Sequence, residues 1–439
     1  MNITVAGTGY VGLVTGVCFA EAGYTVTCFD TDTEKINTLS AGISTIYEPG
    51  LEEMLVQNMD AKRLRFTVSP AEAYSGADFI FIAVGTPERE DGSANLDFVE
   101  SVAREIAEHA RGKTVVAVKS TVPVGTNRKL AGFFNPRSGI SIVSNPEFLR
   151  EGSGIADTFQ AERIVIGTDD KAAGDKLAGI YRRFGVPILR TGLKSAEMIK
   201  YASNAFLAAK ISLVNEIANF CEVTGADIEE VALGMGMDSR IGSQFLRAGI
   251  GYGGSCFPKD TKALVKLGEE WGCDFSILKS VIEVNSRQKQ KLVNAAIGIA
   301  GSFKGKRAAV LGLSFKPFTD DIREAPALEV IRQLLDEGAD ISVYDPAAMG
   351  KMREIYGDQL YYAETPEEAV KGADFAFVLT EWPEITAFPL EKYRLFMRQP
   401  VLLDGRNCYS AEAAEKAGLT YVSIGRKAVL AEAVAAATK

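Results

Sequence analysis

The sequence predicts an α/β protein: two Rossmann-like parallel-sheet domains joined by a helical central domain with a long connecting helix. Three observations predict it. Short β-branched runs alternate with stretches of helical period over the first third, a glycine-rich turn follows the first run, and the alternation returns beyond residue 301 after an apolar helical middle.

In the first third, strands are expected at Ile3 to Ala6, Thr25 to Phe29, Phe79 to Val84, Val115 to Val118 and Ile140 to Val143. Two shorter ones follow at Arg163 to Gly167 and Ile188 to Arg190. The helical spacing between them implies a parallel sheet covered on both faces. An apolar-rich helix is expected from Lys194 to about Thr224, then helical segments, then a second long helix from Ser276 to about Ile299. Strands return at Ala308 to Gly312, Ile341 to Tyr344, Phe375 to Leu379 and Val401 to Leu403. The expected domains are 1–193, 194–300 and 301–439, and the alanine-rich tail after Ile424 carries no readable pattern.

With 439 residues, 47% hydrophobic and 24% charged, the chain can build two or three separate cores. Its 48 basic and 57 acidic residues give a net charge of -9, which opposes binding to nucleic acid or an acidic membrane surface. An anionic ligand must therefore be gripped by a local site. No apolar run reaches membrane-spanning length, and Met1 and Asn2 lead into Ile3 without a basic leader or a cleavage site. Six cysteines lie scattered without close pairs, so neither a disulfide framework nor a zinc or other metal site is expected, and the cytoplasm is the expected compartment. His109, the only histidine, falls on an expected surface helix. The chemistry must be built without a histidine base.

The first strand runs directly into Gly7-Thr8-Gly9-Tyr10-Val11-Gly12, a helix follows, and the next strand ends at Asp30. That order suits a dinucleotide. Gly7 permits the tight turn, Gly9 the approach of backbone to the pyrophosphate, and Gly12 close helix packing, while Asp30 takes the adenosine ribose. An acid there repels a 2′-phosphate, so the expected cofactor is NAD rather than NADP, although Lys35 nearby weakens the contrast. Two further loops, Val84 to Pro87 and Lys119 to Pro123, fall at the same carboxyl edge of the sheet.

Cys256 lies in Gly251-Tyr252-Gly253-Gly254-Ser255-Cys256-Phe257-Pro258-Lys259-Asp260, where the glycines bring backbone close to a ligand. A thiol there suits addition to a carbonyl if a cation such as Lys259 lowers its pKa; a structural cysteine is the competing reading of the segment alone. On the long helix Lys200 and Asn204, four apart, project together from an otherwise apolar surface, where an ammonium without a partner is costly. Asn145 to Gly152 brings Glu147, Arg150 and Glu151 to the sheet edge, and Lys316 and Arg323 follow the first strand of the last domain, whose loop lacks the second and third glycines. That loop should not hold a dinucleotide. For each of these charged groups a solvated surface role is the alternative.

Taken in order, the glycine loop with Asp30, Tyr47-Glu48-Pro49-Gly50-Leu51, Val84 to Pro87, Asn145 to Glu151, Gly251 to Asp260 and Lys316 to Pro326 resemble the UDP-glucose/GDP-mannose dehydrogenase family over nearly the whole chain. The wording of Gly251 to Asp260, with its lead-in Phe245 to Gly249, is more similar to members acting on UDP-glucose than to those acting on GDP-mannose or UDP-N-acetylmannosamine. The resemblance implies two successive oxidations of the sugar C6 alcohol by NAD, with a thioester on Cys256 between them. It assigns a proton-accepting water to Asp260 and Thr121, oxyanion stabilisation to Lys200 and Asn204, and hydrolysis to Glu147. For UDP-glucose it implies Glu147, Phe148, Leu149, Arg150, Glu151, Lys200, Asn204, Phe245, Leu246, Arg247, Ala248, Gly249, Gly253 and Lys316. For NAD it implies Val11, Asp30, Lys35, Thr121, Glu151, Lys259 and Arg323. It further implies a homodimer formed through the long central helix, with Arg240 reaching the partner's substrate. Three other readings stay open: a related 6-dehydrogenase acting on GDP-mannose or UDP-N-acetylmannosamine, a two-electron dehydrogenase with a structural Cys256, and a non-catalytic NAD-binding scaffold.

Overall fold

Val5, Ile80, Phe81 and Ile82 have no exposed surface, as central strands covered on both faces require. They mark the middle of the first sheet in the computed structural model, which describes residues 1–431. That sheet comprises β1 (Asn2–Ala6), β2 (Thr25–Phe29), β3 (Leu64–Thr67), β4 (Phe79–Ile82), β5 (Val115–Val118), β6 (Ser141–Ser144), β7 (Ile164–Gly167) and β8 (Ile188–Thr191). Their spatial order is β3-β2-β1-β4-β5-β6-β7-β8. The order reverses direction between β1 and β4, the crevice where open α/β sheets take ligands.

The sheet departs from the wholly parallel arrangement expected of it at one place, because β6 and β7 pair antiparallel through Ser144 and Gly167. The chain leaves β6 at the carboxyl edge and re-enters from that edge, so no crossover helix is needed and Asn145 to Gly152 stay there.

The second sheet comprises β9 (Arg307–Leu311), β10 (Asp340–Tyr344), β11 (Tyr361–Tyr362), β12 (Phe375–Val378), β13 (Val401–Asp404) and β14 (Thr420–Ser423) in the order β11-β10-β9-β12-β13-β14, all parallel. Between the sheets in sequence lies the helix Leu193–Thr224, followed by Ile228–Gly236 and Phe257–Glu270. The second long helix expected from Ser276 is two helices, Ser276–Gln288 and Lys291–Ala300. No proline or glycine marks the break. Tertiary contacts outweigh propensity there: Gln288 Nε2 donates to Gly249 O, and Lys289 Nζ to Glu324 O.

The chain divides into two compact units, 1–203 with 262–273, and 204–261 with the residues from 274 onward. No helix among the described residues is long and apolar enough to cross a membrane. The alanine-rich tail beyond residue 431 lies outside the described residues.

Candidate active site

In the first unit, Gly7 takes φ 99° and donates its N–H to Phe29 O, turning the chain from β1 into the helix Tyr10–Glu21. A methyl group on Gly12 would stand 1.9 Å from Gly7 O, so only glycine lets helix and turn pack; one on Gly9 would meet no atom within 4 Å. No side chain caps this helix. Its first N–H groups are thus suited to phosphate.

Asp30 Oδ2 accepts both the Thr8 N–H and the Thr8 hydroxyl at 2.8 Å, and Lys35 Nζ lies 3.6 Å away. Burial opposes ionisation of Asp30, but the Thr8 and Asp32 hydrogen bonds, with Lys35, hold its carboxyl below the usual range. An ionised acid fixed at the end of β2 fits a ribose diol and repels a 2′-phosphate, so Gly7 to Gly12 with Asp30 fit NAD.

At the carboxyl edge of β6, Glu147 and Lys200 form an ion pair of 3.0 Å with side chains only 6% and 4% exposed. Glu147 Oε2 also accepts the Leu149 N–H at 2.5 Å. Lys119, immediately after β5, is buried within electrostatic reach of both. Burial lowers its pKa to about 8, with Glu147 opposing the shift and Lys200 adding to it. Phe148 presents its ring to Arg163, 3.8 Å away, and to Lys200, 5.3 Å away. Arg150 is exposed and paired with Asp157, and Glu151 is half-buried. Thr121, half-buried, accepts the Thr86 hydroxyl on its carbonyl.

In the second unit, Asn204 Nδ2 donates to Asp260 Oδ2 at 2.7 Å, and Lys259 Nζ to Asp260 Oδ1 at 2.6 Å. Asp260 is 2% exposed, so this cluster too is nearly dry. Cys256 directly precedes the helix Phe257–Glu270, its carbonyl accepting the Asp260 N–H, and its Sγ lies 3.7 Å from Ser255 Oγ. Lys259, three residues beyond the thiol in sequence, is thus engaged with Asp260.

The glycines of the thiol loop also serve a purpose other than the ligand approach expected of them. A methyl on Gly251 would meet Asn285 Oδ1 at 2.6 Å, and one on Gly253 would meet Glu324 O at 2.3 Å. The chain's own segments fill that space and clamp the loop. Ahead of it, Phe245 takes φ 63°, Leu246 and Ala248 are buried, and Gly249 donates its N–H to Asn215 Oδ1. Arg247 donates to Arg406 O. Lys316 Nζ lies 5.5 Å from its neighbour's Phe315 ring, and Arg323 chelates Asp321. Arg240 lines a cavity with Leu246, its exposed guanidinium on Asp238.

The reading of the sequence gave no task to four residues that the structure places in these clusters or beside them. Lys119, a lone charge directly after an apolar strand, was a usable signal. Glu197 takes the N–H groups of Gly125 and Asn127 and the Asn127 amide, anchoring the long helix one turn ahead of Lys200. Arg406 donates to the carbonyls of Gly251, Phe315 and Leu379, in a position signalled by Asp404-Gly405-Arg406 at the end of β13. The fourth is Glu48.

The second unit differs from the first at the corresponding strand-end acid. Asp345, at the end of β10 as Asp30 is at the end of β2, accepts from Leu313 N, Ser314 N, Ser314 Oγ and Trp382 Nε1. Its carboxylate is committed to the protein.

The family described as UDP-glucose/GDP-mannose dehydrogenase matches the chain with its NAD binding domain over residues 1–185, its central domain over 194–287 and its UDP binding domain over 309–411. The UDP-glucose 6-dehydrogenase YwqF of Bacillus subtilis (strain 168) is 54% identical over 434 residues, covering 98% of this chain and 99% of the relative. A UDP-glucose dehydrogenase from Pyrobaculum islandicum superposes with a TM-score of 0.90 at 41% identity, with 96% of each chain covered. A UDP-D-ManNAc dehydrogenase from Pyrococcus horikoshii gives 0.85 at 28% identity, covering 97% of this chain and 99% of the other.

Two expectations follow. Gly12→Ala should lose about 3 kcal/mol of stability through overpacking, whereas Gly9→Ala should melt like the parent yet bind NADH about tenfold more weakly, as read by NADH fluorescence. Equal melting and equal binding in both would contradict the loop geometry. The second concerns Lys119. The unfolded chain binds more protons than the native one between about pH 8 and the ordinary lysine value of 10.5, so this ammonium costs most below pH 8 and less as pH rises. Lys119→Met should therefore stabilise the protein in urea at about pH 7 by roughly 2 kcal/mol more than at about pH 9.5. A pH-independent difference would show that the lysine is not titrating there.

Proposed function

This chain belongs to the UDP-glucose/GDP-mannose dehydrogenase family, and we propose that it oxidises UDP-glucose at C6 to UDP-glucuronate with two equivalents of NAD. The observation that carries the four-electron reading is the Cys256 thiol, held at the start of the helix Phe257–Glu270 directly after a glycine loop that the chain's own segments clamp. The UDP-glucose 6-dehydrogenases among the relatives support the choice of sugar.

NAD, when bound, supplies the acceptor for both hydrides; Gly7, Gly9, Val11, Gly12, Asp30 and Lys35 hold it, with Thr121, Glu151, Lys259 and Arg323. The C6 hydroxyl proton passes to a water assigned to Asp260 and Thr121. Lys200 and Asn204 act as preorganised donors to the developing oxyanion. Cys256 Sγ then bonds to C6 of the aldehyde, giving a thiohemiacetal, and loss of the second hydride leaves a thioester. Water, assisted by Glu147, breaks the carbon–sulfur bond, releasing the carboxylate and returning the thiol. Covalent attachment keeps the aldehyde from escaping between oxidations. The sugar is gripped by Glu147 to Glu151 and Phe245 to Gly249, with Gly253 and Lys316, and its uridine end belongs to the last α/β domain.

The same reading makes the protein a cytoplasmic homodimer of three-domain protomers, 1–193, 194–300 and 301–439. Phe206, Leu213 and Phe220 recur every seven residues on the long helix and are 68%, 55% and 67% exposed, an apolar stripe that supports pairing with a second copy. Arg240, exposed close by in sequence, is the residue assigned to the partner's substrate. Free cysteines throughout the described chain suit a reducing compartment.

With UDP-glucose and excess NAD, two NADH should form per sugar. Cys256→Ser should cut net oxidation by about a hundredfold or more, a barrier increase of about 3 kcal/mol. Undiminished turnover in the variant would refute the covalent route, and turnover of a different nucleotide sugar in place of UDP-glucose would refute the substrate.

A further inference from the structure

The Tyr47 to Leu51 motif holds a carboxylate to which the proposed reaction gives no task. Glu48 is 7% exposed. Gly50, at φ 78°, caps the helix Leu51–Asp60, and the Leu51 N–H returns to Glu48 O, so the turn carries the Glu48 side chain into the unit rather than along its surface. There Oε2 lies 2.6 Å from the Tyr10 hydroxyl and accepts the Gly152 N–H at 2.7 Å, while Oε1 accepts the Ile155 N–H at 3.4 Å.

These partners belong to two separate stretches. Tyr10 opens the helix of the glycine loop that fits the cofactor, whereas Gly152 and Ile155 follow directly on Glu147 to Glu151. The Tyr10 hydroxyl also lies 2.9 Å from Arg150 O, and a methyl on Gly154 would stand 2.5 Å from it, so the second stretch is packed onto the phenol. Burial, then Glu48 itself, push the phenol pKa up, which keeps Tyr10 a donor. Packing alone does not call for a buried carboxylate here, because an apolar side chain of similar volume avoids the desolvation cost.

We propose that Glu48, acting through Tyr10, is a positioning residue that couples occupancy of the cofactor loop to occupancy of the Glu147 to Glu151 segment by the sugar nucleotide. The proposal rests on the substrate reading above. A ligand that orders either stretch restrains the other through the shared carboxylate, so each ligand binds more tightly when the other is present, by the same factor.

The test uses NADH, which offers no hydride acceptor and so forms a stable complex with UDP-glucose. The dissociation constant of NADH is measured by its fluorescence, with and without saturating UDP-glucose, in the parent, Tyr10→Phe, Glu48→Gln and the double variant; calorimetry gives the reciprocal ratio for UDP-glucose. In the parent the two ratios should agree at about fivefold or more. In each single variant they should fall toward one, with no further fall in the double variant. Tyr10→Phe keeps the ring and loses only the hydroxyl, so it answers the question even if Glu48→Gln folds poorly. A role confined to stability would lower the melting temperature and leave the ratios intact, and that result, or a parent ratio of one, overturns the proposal. A parent that binds NADH but not UDP-glucose overturns the substrate reading instead, and the coupling falls with it.

Discussion

The ion pair between Lys200 and Glu147 is the arrangement around which the first unit is organised. With both side chains almost wholly buried, each ion forfeits several kcal/mol of hydration, which their mutual attraction recovers only if the geometry is held closely. The holding is visible. Glu147 is fixed by the Leu149 N–H, and the helix bearing Lys200 is pinned one turn earlier by Glu197 on Gly125 and Asn127. Lys119 adds a second ammonium to the same pocket of low dielectric, which a chain selected only for stability would avoid. In a protein whose single histidine lies at the end of the helix Asp97–His109, such lysine and carboxylate clusters are where proton chemistry can be placed.

The two sheets begin alike and diverge at one point. Gly7 and Gly312 both take positive φ, and both donate their N–H to the last residue of the second strand, Phe29 and Tyr344. An aspartate follows in each case. Asp30 keeps its side chain partly exposed, whereas Asp345 is 2% exposed and carries the Trp382 indole as well as the loop's own N–H groups. The same turn therefore presents a ribose acceptor in one sheet and a structural staple in the other, which separates a dinucleotide-binding end from one left to a different ligand.

How much of this was legible in the sequence depended on range. The central strands, long apolar runs covered on both faces, were readable almost to the residue, and so was the helix Leu193–Thr224. The three strands missed, β3, β11 and β14, are all sheet edges. β3 and β11 are short and half-solvated, and the alternation in Leu64-Arg65-Phe66-Thr67 is too brief to stand out; β14 is largely buried, but four residues are too few to set a pattern. Glycine spacing and strand-end acids exposed the cofactor loop because that chemistry is local. Glu48 and Glu197 were opaque because their partners lie 38 to 107 residues away, and no periodicity encodes such distances; Arg406 had a local signal, but not the partner 155 residues away that gives it a task.

The thiol loop shows why rigidity, rather than flexibility, is the sense of its glycines. Gly251 and Gly253 are small because Asn285 and Glu324 occupy the space a side chain would take, Tyr252 exchanges two hydrogen bonds with the Asn285 amide, and Arg406 holds the Gly251 carbonyl. In the proposed reaction, a nucleophile that must capture an aldehyde before it diffuses away gains most from a fixed backbone, since a displacement of an ångström at the reacting atoms can cost about a hundredfold in rate. Cys256 stands between that clamped loop and the start of the helix Phe257–Glu270, so its backbone is held on both sides. For the proposed reaction, the thiol and the dry Asn204–Asp260 cluster are then two products of one constraint, backbone held in place by its own chain so that the reacting groups need not reorganise.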